Sequence, residues 1–122
     1  MKQGDYSRAF ALLAEAILIL QELGDKESSI LCLEPIAFMA LEQRFPERAA
    51  RLLGASESLR KTLGVTRAQP LQADYERYTA CAQSQLDKAA FEAAWAEGCA
   101  MTYEKAIAYA VGIKDAFTNV RM

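Results

Sequence analysis

The sequence predicts an all-α domain of about six helices, arranged as stacked antiparallel hairpins. Its 122 residues are 52% hydrophobic and include only three prolines and six glycines. Alanine, leucine and the long polar residues that favour helices are abundant, while the β-branched residues that favour strands are sparse. Residues that commonly begin or end helices recur along the chain at intervals of about one helix, and one segment repeats after 40 residues. These three observations together indicate helical hairpins.

Cap residues delimit each expected helix in turn. Gly24 and Gly64 can end helices because glycine readily adopts the left-handed conformation of a C-cap. Asp25 and Asp87 are good N-caps, and Pro46 suits the first turn of a helix. The resulting helices are expected over 5–23, 25–43, 46–64, 71–86, 87–98 and 102–111.

Residues 9–24 align with residues 49–64 at a spacing of 40 residues, and a weaker copy begins at Ala90. The five identities lie at small or apolar positions: Ala9/Ala49, Leu12/Leu52, Leu13/Leu53, Leu23/Leu63 and Gly24/Gly64. A period of this length is typical of stacked helical hairpins. We therefore expect a single domain over 1–122, with regular repeats over 4–64 and a degenerate hairpin and capping helix over 65–122.

The segment "GDYSRAFALLAEA" places Gly4, Tyr6, Ala9, Leu13 and Ala16 at the offsets of the second helix of a tetratricopeptide repeat. With "AARLLGA" and "FEAAWAEG", the chain resembles, over 4–111, the C-terminal repeat region of bacterial STAND-type ATPase regulators, including LuxR-type transcriptional activators. The resemblance implies a tetratricopeptide-like superhelical arm that serves as a sensor or for protein interaction in transcription regulation. The segment "GASESLRKT" lacks the second glycine of a phosphate loop, so we expect the arm without the ATPase.

The sequence offers no candidate for catalysis. It contains no histidine, which removes Ser-His and Cys-His nucleophiles and most zinc sites. Carboxylate pairs such as Asp74/Glu76 lie at spacings that do not converge on a helix. We therefore expect no enzyme, no metal and no cofactor.

The sequence also predicts the compartment. Three widely spaced cysteines suit a reducing cytoplasm better than a disulfide framework. No charge-free apolar stretch approaches the ~20 residues that a bilayer crossing needs. We therefore expect a cytoplasmic protein without a membrane partner.

Basic residues concentrate in the middle of the chain. Residues 44–69 carry six basic and two acidic side chains, although the whole chain has a net charge of −2. Arg44, Arg48 and Arg51 are spaced four and three residues apart, which places them on one helix face. This face either contacts an anionic partner or is a solvated surface balanced by acidic neighbours. Because nucleic-acid sites usually accompany a net basic domain, we expect no direct binding of nucleic acid.

The run "LCLEPIAFMAL", residues 31–41, places Glu34 and Pro35 inside an apolar helix. Because proline cannot donate a backbone hydrogen bond, we expect one continuous helix with a bend at Pro35. Glu34 is expected either to contact a ligand on the concave side of the stack or to reach solvent at a packing kink.

Apolar side chains fill an arc of about 180° on the first helix. The arc comprises Tyr6, Ala9, Phe10, Leu12, Leu13, Ala16, Ile17, Ile19, Leu20 and Leu23. One neighbouring helix cannot cover such an arc, so we expect an uncapped end of the stack. Tyr6, Phe10, Leu13, Ile17 and Leu20 are the expected contact residues of a two-fold homodimer or of a contact with the rest of a longer regulator.

The predicted function is accordingly a non-catalytic module for protein interaction and assembly. The alternative is a ligand-sensing arm that binds a small molecule in the concave groove.

Overall fold

A computed structural model describes residues 3–112, which form seven α-helices and no strands. The helices are α1 (Gln3–Glu22), α2 (Lys26–Leu31), α3 (Leu33–Glu42), α4 (Pro46–Leu63), α5 (Gln69–Gln85), α6 (Lys88–Cys99) and α7 (Tyr103–Gly112). Helix accounts for 84% of the described residues, which confirms the all-α prediction.

The cap residues act as the sequence predicts. Gly24 and Gly64 follow α1 and α4 in the left-handed conformation, with φ of 75° and 71°. The side chains of Asp25 and Asp87 accept hydrogen bonds from backbone N–H groups three residues later, at 3.1 and 2.7 Å. Pro46 is the first residue of α4. The helix boundaries in this part of the chain therefore follow from local chemistry.

The helix expected over 25–43 is two helices, α2 and α3, separated by one residue. Cys32 keeps helical torsion angles, but its N–H bonds to the carbonyl of Ser29 at 3.2 Å, which is a tighter turn than that of an α-helix. Pro35 has no N–H to donate to the carbonyl of Leu31, and the break therefore falls one turn before the proline. Pro35 is the third residue of α3. The N–H groups of a helix's first turn have no carbonyl partner within that helix, so the missing N–H of Pro35 costs α3 no hydrogen bond.

Helix α4 occupies the centre of the fold and contacts α2, α3, α5, α6 and α7. Its closest neighbour is α6, because two glycines remove the side chains that would hold the helices apart. A Cβ atom on Gly54 would lie 2.6 Å from the carbonyl oxygen of Trp95, and one on Gly98 would lie 2.0 Å from that of Arg51. Leu52, on the same helix, is fully buried.

Helix α1 lies at the edge of the fold and packs against α2, α3 and α7. The hydroxyl of Tyr6 donates a hydrogen bond to Glu42 Oε1 at 3.1 Å, and the hydroxyl of Tyr78 donates to the other oxygen of Glu42 at 3.3 Å. The Tyr78 ring also stacks on Phe38, with ring centroids 4.0 Å apart. Glu42 therefore connects α1 and α5 at the end of α3.

Helix α3 ends at an unusual residue. Arg44 has a φ of 69°, the left-handed conformation that Gly24 and Gly64 adopt after α1 and α4. The backbone N–H of the next residue, Phe45, bonds to the carbonyl of Ala40 at 2.8 Å, which fixes this turn. For a residue with a Cβ atom the conformation costs about 1 kcal/mol or more.

Candidate functional site

The apolar arc of α1 divides into two halves, and one of them belongs to the core. Tyr6, Phe10 and Ile17 are 8%, 1% and 0% exposed, and Leu13 and Leu20 are half-buried. These five side chains were the expected contact residues of a homodimer. The structure corrects that assignment, because the core of the same chain already covers the three most buried of them.

The other half of the arc faces solvent. Leu12, Ile19 and Leu23 are 64%, 49% and 74% exposed. Their spacing of seven and four residues places them in one row along the helix, with Ala16 between them. We call Leu12, Ala16, Ile19 and Leu23 the α1 stripe. Large apolar side chains grouped in this way are typical of an interaction surface.

The internal repeat allows the exposure of the α1 stripe to be compared with that of the equivalent residues in α4. Shifted by 40 residues, Leu12 and Ile19 correspond to Leu52 and Leu59 of α4, which are 0% and 8% exposed. These two positions are buried in α4 because other helices pack around that helix, whereas Leu63, the equivalent of Leu23, is 39% exposed. The equivalent row of α1 has no such cover within the described part of the chain.

Glu34 lies in the interior, where one carboxylate oxygen accepts four hydrogen bonds. The donors to Oε2 are Ser56 Oγ at 2.5 Å, Arg60 Nε at 3.0 Å, and Arg67 Nε and Nη2 at 2.9 and 2.6 Å. Arg67 Nη1 also donates to Glu57 Oε1 at 2.9 Å. This buried network connects α3, α4 and the loop after α4.

The network neutralises its own charges. Burial alone would raise the pKa of Glu34, but hydrogen bonds from Arg67 and Ser56 and the charges of Arg67 and Arg60 outweigh it, so the pKa lies below its ordinary value. Glu34 is only 4% exposed. It therefore neither reaches solvent nor is free for a ligand, and both sequence-based expectations for it were wrong. Sequence reasoning missed Arg60 and Arg67 as its partners, because they lie 26 and 33 residues away.

A cavity of about 580 Å³ opens between α4, α5 and α6. Trp95 and Tyr75 form its aromatic walls, with ring centroids 6.5 Å apart. The buried hydroxyls of Tyr75 and Thr79 lie near each other without a well-aligned hydrogen bond, and burial raises the pKa of Tyr75. The cavity thus combines an apolar wall with unused hydrogen-bonding capacity.

The three arginines of the basic block have different environments. Arg51 donates to Glu97 Oε1 at 2.7 Å and to the hydroxyl of Tyr109 at 3.2 Å. Arg48 lies over the ring of Phe45, 4.5 Å from its centroid. Arg44 is exposed. The block is therefore not a uniformly solvated face, since one arginine is paired and another is partly buried.

Within residues 3–112, no group of three or more histidine, cysteine, aspartate or glutamate side chains is placed to hold a metal ion. No helix in the same range is both long and apolar enough to span a membrane. Comparison with known proteins found no matching family model, no matching curated protein and no matching solved structure.

Proposed function

We propose that this protein is a non-catalytic protein-interaction module that assembles into a homodimer through the α1 stripe. The observation that carries the proposal is the difference between equivalent rows: Leu52 and Leu59 are buried in α4, whereas Leu12 and Ile19 are exposed in α1. The sequence of α1 is that of a helix covered on two sides. A second copy of the chain supplies the missing cover.

A two-fold, antiparallel contact between the α1 helices suits the charges beside the stripe. Arg8, Glu15 and Glu22 follow one another at seven-residue intervals, so one flank of α1 is basic at its start and acidic at its end. An antiparallel contact places the same flank of the two helices together and brings Arg8 towards Glu22 of the partner subunit. Ala16 lies mid-stripe, where its small side chain allows close approach.

The energy of such a contact suffices for a reversible dimer. Full burial of a leucine or isoleucine side chain contributes about 1.5–3 kcal/mol, and a dimer would cover six of them. Association costs at least about 4 kcal/mol, and more when side chains lose freedom. We therefore expect a dissociation constant of roughly 1–100 μM.

The test replaces Leu12 and Leu23 together by glutamate. At roughly 100 μM we expect the wild-type chain to sediment with an average mass clearly above that of the monomer, and the double variant to remain monomeric, with unchanged helix content by circular dichroism. The matched control is Leu18→Glu, because Leu18 is 50% exposed but lies about 120° around the helix from Leu12. A wild-type monomer at this concentration, or a Leu18→Glu variant that dissociates equally, would contradict the proposal.

The wider role that we propose follows the resemblance of the sequence. As the repeat arm of a cytoplasmic signalling or transcription regulator, the chain would make its α1 contact without binding nucleic acid directly. The support is the helical-repeat fold, together with the Gly24 and Gly64 caps that recur at the repeat spacing.

A second candidate function, binding of a small molecule, is favoured by the cavity between α4, α5 and α6. Trp95 is the only tryptophan of the chain and lines this cavity, so its fluorescence reports binding there. With 8-anilinonaphthalene-1-sulfonate as the probe, we expect saturable energy transfer from Trp95. Thr62→Phe should abolish it by filling the exposed mouth, and transfer that is absent or unchanged in this variant would exclude the candidate.

A further inference from the structure

A pocket of about 340 Å³ lies where α3 meets α4, and three arginines line it: Arg44, Arg48 and Arg51. Phe45 and Pro46 add an apolar wall, which Leu86 extends from the end of α5. We propose that this pocket binds a phosphate monoester group, with the guanidinium groups on the phosphate and the apolar wall against the carbon part of the ligand.

One guanidinium donor of Arg48 is unused. Arg48 Nη1 is buried and has no hydrogen-bond partner among the described residues. By contrast, Arg51, Arg60 and Arg67 each donate at least one hydrogen bond to a carboxylate. A buried guanidinium nitrogen without an acceptor is costly, and an anionic oxygen in the pocket that Arg48 lines would supply one once the side chain turns towards it.

The backbone of Arg44 has an unfavourable conformation. This residue keeps a left-handed φ of 69°, while the equivalent turns after α1 and α4 use glycine. A side chain retained in an unfavourable conformation points to a role for that side chain. Here the role is to place a guanidinium group beside the pocket that Arg48 and Arg51 also line.

The charges around the pocket do not balance. Among the described residues, Glu47 is the one acidic residue in the lining, and Glu97 pairs with Arg51 at 2.7 Å. Three arginines against these two carboxylates leave a positive charge for a ligand to neutralise. A phosphate monoester offers several acceptor oxygens, and guanidinium groups bind it through paired hydrogen bonds.

The first residues of α4 also line the pocket, and Phe45 gives that helix no side-chain cap. The open N–H groups at the start of α4 therefore favour an anion in the same place.

The test is calorimetric titration of the full chain with phenyl phosphate at about 0.15 M salt, where distant exposed charges are screened. We expect saturable binding that Arg48→Met weakens about tenfold or more, because a charged hydrogen bond is lost. Arg44→Gly should weaken binding and, at the same time, raise the thermal unfolding midpoint, because glycine relieves the left-handed turn. A purely structural role for Arg44 would not give these opposite effects.

The matched control is Arg8→Met, which removes the same charge from α1, where the Arg8 side chain is 78% exposed. Its affinity for phenyl phosphate should stay within about twofold of the wild type, since long-range charge alone contributes little in the presence of salt. A parallel titration with a short phosphotyrosine peptide separates the two sources of the phosphate group. Equal affinities indicate a small ester, and tighter peptide binding indicates a phosphorylated partner. No binding of either ligand, binding unchanged by both arginine variants, or an equal loss in Arg8→Met would overturn the proposal.

Discussion

Replacing Gly98 by alanine is expected to destabilise the fold by about 3 kcal/mol or more. The added Cβ atom would lie 2.0 Å from the carbonyl oxygen of Arg51 and 3.0 Å from the backbone nitrogen of Ala55. Backbone atoms cannot move aside as a flexible side chain can, so α4 and α6 would have to separate. Because α4 is the central helix, the separation would loosen most of the core.

Urea unfolding followed by circular dichroism measures this effect. The control is Gly4→Ala, because the added methyl group meets no atom of the described residues within 4 Å. In that variant we expect a change of less than about 1 kcal/mol, in the stabilising direction, since alanine favours helix more than glycine does. Equal stabilities for Gly98→Ala and the wild-type chain would show that the two helices do not cross as closely as described.

Glu34→Ala is expected to cost about 3–5 kcal/mol, the range for removing one partner of a buried ion pair. The carboxylate of Glu34 holds Arg60 and Arg67 together, and the side chains of these arginines are only 4% and 5% exposed. Without it, two buried guanidinium groups lose their main acceptor. The loop that carries Arg67 would also lose its anchor on α3.

The matched control is the exposed pair between Arg51 and Glu97, in which the Glu97 side chain is 59% exposed. Glu97→Ala should cost less than about 1 kcal/mol, because solvent screens such a pair. If chemical denaturation gave similar losses for Glu34→Ala and Glu97→Ala, the buried network would not stabilise the fold as proposed.

The same network predicts a pH dependence. The pKa of Glu34 in the folded chain lies below the ordinary value of 4.5, so its ionisation stabilises the folded state. This contribution is complete above about pH 4.5 and is lost as the pH falls through the lower, folded-state pKa. The free energy of unfolding should therefore fall less steeply below about pH 4.5 in Glu34→Gln than in the wild-type chain.

Local sequence signals predicted the helices well, because the responsible residues act on their own neighbours. Gly24 and Gly64 end helices through their own backbone torsion angles, and Asp25 caps α2 through an N–H group three residues away. The prediction failed at Cys32, where one continuous helix was expected. The proline that causes the break was recognised, but the choice between a bend and a break depends on how α2 and α3 pack.

The candidate sites were less accessible to sequence reasoning. The α1 arc predicted an apolar helix with more than one neighbour, and α1 packs against α2, α3 and α7. However, the residues chosen for the interface were those that the fold itself buries, such as Phe10 and Ile17. A helical wheel shows that the residues of the arc are apolar, but it does not show which of them face the core. The burial of Leu52 and Leu59 in the second copy of the repeat identifies the open side.

The sequence alone determined the all-α class, the helix caps and the 40-residue repeat, since each depends on residues within a few positions or on a comparison along the chain. Only the tertiary structure decided the surroundings of Glu34 and the three arginines of the basic block. Their partners lie tens of residues away, and burial and ion pairing arise only when helices pack. The close crossing at Gly54 and Gly98 likewise depends on two distant backbones meeting, which neither glycine reveals by itself.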